Sequence, residues 1–94
     1  MIYIVATHEA HPDCIDELRD ALRDLVAPSR AETGCVRYDL HENAKQPGHF
    51  VFYEIWADMA AFKAHGETEH LQAFKAHQAE LSRAADVIQL DLLD

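Results

Sequence analysis

The stretch FVFYEIWAD, Phe50 to Asp58, is apolar on both sides of a strand, and few folds accommodate that. Side chains alternate across a strand, so Phe50, Phe52, Glu54 and Trp56 point one way while Val51, Tyr53 and Ile55 point the other. Both faces therefore need cover. Residues 2–8, IYIVATH, are β-branched and aromatic and are again largely apolar on both alternating faces. Two such strands belong at the centre of a sheet, with helices on one side and a second layer on the other.

Between them, residues 13–27 place Ile15, Leu18, Leu22 and Leu25 at helical spacing, with Asp16, Asp20, Arg23 and Asp24 opposite. This predicts an amphipathic helix with Asp13 as its N-cap and Gly34 closing the connection that follows. Residues 35–42, CVRYDLHE, alternate as a half-polar strand: Val36, Tyr38 and Leu40 on one face, Arg37, Asp39 and His41 on the other. NAKQPG has turn composition, so the second and third strands form a hairpin. Asp58 caps a short helix carrying Met59, Phe62 and His65. Gly66 interrupts it, and Thr68 caps a second helix with Leu71, Phe74 and Leu81 on its inner face. DVIQLDLL supplies a fourth strand, with Ile88, Leu90 and Leu92 on one face. The order β-α-β-β-α-β is that of a ferredoxin-like α+β split-βαβ domain over residues 1–94, whose first and third strands are the central pair of a four-stranded antiparallel sheet. Helices cover only one side of such a sheet. The other side would leave Val51, Tyr53 and Ile55 exposed, and the expected cover is a second subunit, making a homodimer.

Charge narrows the partners. Eight Lys and Arg against 17 Asp and Glu give a formal net charge of −9, which repels nucleic acid and anionic membrane surfaces alike. No run of about 18 apolar residues and no signal-peptide pattern occurs, so the expected location is the cytoplasm. Cys14 and Cys35 lack CxxC spacing and read as reduced packing residues.

Seven histidines invite a metal reading, but His65 and His70 are five apart, about 140° around one continuous helix, and no HExxH spacing occurs. No metal is expected. Glu54 shares its face with Phe50, Phe52 and Trp56. Desolvation there would raise its pKa into the range of a useful proton acceptor, unless it forms a buried ion pair with Arg37 or Arg30. His65 closes a short helix before a glycine and is either a second candidate base or a packed histidine. Arg37, Asp39 and His41 line a polar pocket or face water.

The string ETGCVRYDLHE, followed by FVFYEIWADMAAFKAHGETEH, resembles the antibiotic biosynthesis monooxygenase (ABM) family. Its pattern runs E-x-G-C-x-x-Y, then Y-E-x-W, then H-x-x-[ST]-x-H. Here those positions are Glu32, Gly34, Cys35 and Tyr38, then Tyr53, Glu54 and Trp56, then His65, Thr68 and His70. The resemblance implies subunits that dimerise sheet to sheet into an α+β barrel, each with one pocket between sheet and helices. It also implies oxidation of quinols or anthrone-type phenols by O₂ with no cofactor. The haem-degrading branch fits poorly, since Thr7 or His8 stands where its first-strand asparagine would be.

On this reading His65, Glu54 and Arg37 are the catalytic candidates: either of the first two as the base, Arg37 as stabiliser of the developing anion. Trp56, Phe52, Tyr38, Asp39 and His70 would contact the substrate, a small aromatic or quinol-like molecule. The rival readings are a non-catalytic binding barrel and an isomerase of a small phosphorylated ketone using Arg37, Asp39 and His65.

Overall fold

A computed structural model describes residues 1–94. The elements are β1 (Ile2–Ala10), α1 (Ile15–Arg23), α2 (Val26–Arg30), β2 (Cys35–Glu42), β3 (His49–Trp56), α3 (Met59–Gly66), α4 (Glu69–Leu81) and β4 (Ser82–Leu90). The four strands form one antiparallel sheet in the order β2-β3-β1-β4, with the two doubly apolar strands at its centre. The ferredoxin-like α+β plan is thus the observed one.

Register assigns every side chain a face. Ile4 opposes Glu54, Ala6 opposes Phe52, and Tyr38 opposes Glu54 from the other side, so these residues share the helix-covered face. That face holds the core, including Ile4, Phe50, Phe52 and Trp56, each at most 2% exposed. Leu18, Leu22 and Leu25 close it from α1 and its end, and Phe74 does so from α4. On the opposite face, Val5 pairs with Tyr53 and Ile88, and Tyr3 with Ile55 and Leu90, with no helix over them.

The caps of the later helices follow the sequence. Asp58 accepts a hydrogen bond from the Ala61 N–H at 2.8 Å, and Thr68 accepts one from Leu71 at 3.4 Å. Three boundaries differ from expectation. The first helix begins at Ile15, with Cys14 at the N-cap position and no side-chain cap, so Asp13 does not serve there. The single helix expected over 13–27 is two, because a restart at Val26 puts Pro28 in a first turn, where its missing N–H costs nothing. The last strand starts at Ser82, directly after α4, and its pairing ends at Leu90. None of the helices is long and apolar enough to cross a membrane.

Candidate active site

A cavity of about 450 Å³ opens between the covered face of the sheet and helices α3 and α4. Ile4, Ala6, Phe52 and Phe74 give it an apolar wall; Glu54, His65, Tyr38 and His8 are among its polar groups, together with Lys63, Lys75, Gln78 and Asp86. Its size is that of a small-molecule site.

Glu54 reaches this wall because it is an even-numbered residue of β3. The Trp56 indole N–H donates to its Oε1 at 3.0 Å, and burial pushes the carboxyl up to about 7. No cation pairs with it. Arg30 instead bonds Asp39 at 3.0 Å and the Tyr38 carbonyl, and Arg37 sits 3.6 Å from Asp39, so the ion-pair alternative for Glu54 is not realised.

His65 is 4% exposed, its ring 4.6 Å from that of Trp56 and 5.3 Å from that of Tyr38. Its Nδ1 lies 2.8 Å from Oε2 of Glu32, and Nε2 of His70 lies 2.7 Å from the same oxygen. Glu32 is an acceptor only, so both imidazoles donate to it, which leaves Nε2 of His65 as an acceptor. Burial lowers the His65 pKa, against the upward pull of Glu32, which favours the neutral ring. His8 lies edge-on to Phe52 and Phe74 and is pushed down to about 4 by burial, with no partner for its Nδ1. Burial also raises the Tyr38 hydroxyl and the Cys35 thiol, so both stay protonated.

His65, Glu54, Phe52 and Tyr38 therefore meet at the cavity, as the sequence led one to expect. The other four candidates lie elsewhere. Arg37 and Asp39 are odd-numbered residues of β2, opposite Ile55 and Tyr53, and so occupy the bare face of the sheet, away from the cavity. Trp56 is fully buried behind the wall, where it packs His65 and holds Glu54; it is not a stacking surface for a ligand. His70 touches the site only through Glu32.

Glu32, His8, Lys63 and Lys75 went unassigned on sequence grounds, although the last three line the cavity. Lys63 and Lys75 are the cationic side chains of the lining, to which Arg37 does not belong. On one continuous helix His65 and His70 would not share a face. In the structure α3 ends at Gly66 and α4 starts at Glu69, and the turn between them brings both rings to one carboxylate. That turn overturns the separation of His65 and His70 expected from their spacing, and with Glu32 their ligand atoms lie within 4.8 Å of one another. The signal was present in the capping pattern at Thr68.

The family profile described as antibiotic biosynthesis monooxygenase matches residues 1–77. YcnE of Bacillus subtilis strain 168 is 40% identical over 93 residues, spanning 98% of each chain. Rv0793 of Mycobacterium tuberculosis is 33% identical over 94 residues, 99% of this chain and 92% of that one. Both bear the name "Putative monooxygenase". The crystal structure of PA3566 from Pseudomonas aeruginosa superimposes with a TM-score of 0.95 at 39% identity, covering 99% of this chain and 94% of the other.

Proposed function

Since the chain belongs to the antibiotic biosynthesis monooxygenase family, we propose that it is a cofactor-independent monooxygenase that oxidises a small hydroxylated aromatic of quinol or anthrone type with O₂. The observation that carries this reading is the pairing, in one apolar cavity, of a neutral His65 oriented by Glu32 with the protonatable Glu54.

Ground-state O₂ is a triplet and reacts slowly with closed-shell molecules, whereas a phenolate or carbanion can give it one electron and then couple. The protein's part is to deprotonate the substrate and hold it. Nε2 of His65 takes the proton, while Glu32 keeps Nδ1–H in place and stabilises the imidazolium. The Glu54 carboxyl donates to a second substrate oxygen, Phe52 and Phe74 flank the ring, and Lys63 or Lys75 faces the developing anion. The substrate gains one oxygen atom and loses two hydrogens, and the second oxygen leaves as water. We place the working unit as a homodimer, its subunits joined through Val5, Val51, Tyr53 and Ile55.

Oxygen uptake with a panel of quinols tests this. His65→Ala should lower turnover by about 10² to 10⁴ with the circular dichroism unchanged. The pH profile should fall on the acid side below about 6.5, the ordinary histidine value, because the working ring is depressed. A limb near 7 that vanishes in Glu54→Gln would move the base role to Glu54. Saturable quinol binding without oxygen uptake would make the protein a binding barrel. The isomerase reading drew on Arg37 and Asp39, which lie on the far face of the sheet.

A further inference from the structure

Three separated parts of the chain converge beside the cavity: Glu32 in the α2–β2 connection, His65 in the last turn of α3 and His70 in the first turn of α4. Their ligand atoms, one carboxylate oxygen and two imidazole nitrogens, all lie within 4.8 Å of one another. The two nitrogens stand 2.8 and 2.7 Å from the oxygen. In a tetrahedral shell with bonds of about 2.0 Å, neighbouring ligand atoms are about 3.3 Å apart, so a small outward shift of each side chain opens the centre to an ion. The cluster is also shielded, with side-chain exposures of 5% for His65, 13% for Glu32 and 23% for His70. Elsewhere the histidines that contact a carboxylate do so singly: His49 meets Glu9, and the exposed His77 meets Glu80 at 3.7 Å.

We propose that Glu32, His65 and His70 bind one divalent transition-metal cation of the zinc class. Two imidazoles and a carboxylate are a donor set that such ions take in preference to Mg²⁺ or Ca²⁺, and three protein ligands leave a position for water. Binding needs no redox step. The ring proton of His65 moves from Nδ1 to Nε2, that of His70 from Nε2 to Nδ1, and the metal takes the vacated lone pairs. One consequence rests on the reading of His65 as the base: with its proton on Nε2 the ring can no longer accept from substrate, so the ion inhibits oxidation. The binding itself does not depend on that reading.

The test is calorimetric titration of chelator-treated protein with ZnSO₄, on the wild type and on Glu32→Gln, His70→Ala and His77→Ala, each checked for fold by circular dichroism. One zinc per chain is expected for wild type and His77→Ala, with affinity about 100-fold or more weaker in Glu32→Gln and His70→Ala. The thermal midpoint should rise with zinc only in the two proteins that bind it. Absence of saturable binding in wild type, or undiminished binding in His70→Ala, overturns the site. If Glu32→Gln does not fold, His70, the least buried of the three, decides alone. Quinol oxidation is measured separately: zinc that binds at this site without inhibiting removes the base assignment of His65 and leaves the metal site standing.

Discussion

Two glutamates on the two faces of one sheet have their acidities shifted in opposite directions. Glu54, on the face covered by helices, has a single hydrogen-bond donor and no cation, and burial pushes it up to about 7. Glu9, on the bare face, is pulled below the usual carboxylate range by hydrogen bonds from His49 and then from Arg83. The covered face isolates a polar group among apolar ones and so holds its proton on to higher pH. The bare face pairs its charges at the rim, Glu9 with His49 and Asp39 with Arg30, around a centre of Val5, Val51, Tyr53 and Ile55. A polar rim around an apolar centre is how a protein surface built for another protein is organised.

The largest expected contrast comes from neighbours on β3. Trp56→Ala removes a fully buried indole, and should cost about 3 to 5 kcal/mol in urea unfolding. Ile55→Ala, on the half-buried opposite face, should cost the protomer well under that. Equal losses would mean that the two faces are not distinct layers.

Next in size is the pH dependence of stability. Folded Glu54 keeps its proton up to about pH 7, whereas an unfolded glutamate releases it near 4.5, so the native state binds more protons in between. This contribution is fully present below pH 4.5 and is lost as the pH rises through 7. At about 1.4 kcal/mol for each pH unit it amounts to about 3 kcal/mol. Glu54→Gln should flatten that slope and be more stable than wild type at pH 8. Buried His8, pushed down to about 4, acts in the opposite sense over part of this range in both proteins, so the comparison decides: equal pH slopes for wild type and Glu54→Gln from pH 5 to 7.5 would contradict the isolation of this carboxyl.

The smallest effect on the protomer is expected from Val51→Asp, about 1 kcal/mol for losing a β-branched residue in a strand. Its effect on assembly should be complete: sedimentation should show wild type as a dimer at micromolar concentration and the variant as a monomer. Asp20→Asn, on the exposed side of α1, should change neither property. A dimeric Val51→Asp protein would show that the bare face is not the interface.

The sheet order and the central place of β1 and β3 were legible because period-two alternation is a local property, and Phe50 to Trp56 state it plainly. So was the meeting of Glu54, Phe52 and His65. Arg37 and Asp39 were misjudged for a reason also written in the alternation. They face away from Tyr38, and the pairing of Tyr38 with Glu54 shows which side of β2 belongs to the cavity, a fact available only once register is known. Trp56 illustrates a second limit, since its alternation gives its face but not its depth. The link from Glu32 to His65 spans 33 residues, and no local periodicity reports it.

Gly34 shows how that link is gauged. Its φ of +85° belongs to the left-handed region, and a Cβ built there would stand 2.6 Å from the Ala61 Cβ. Ala61 lies one helical turn before His65 on α3, and Glu32 lies two residues before Gly34. The separation between the carboxylate and the imidazole is therefore set by a hydrogen where every other residue carries carbon. Any side chain at this position acts as a shim, wedging α3 off the connection it rests on and parting Glu32 from His65. In the pattern E-x-G-C the glutamate and the glycine are one device, the acid and the clearance that lets it reach.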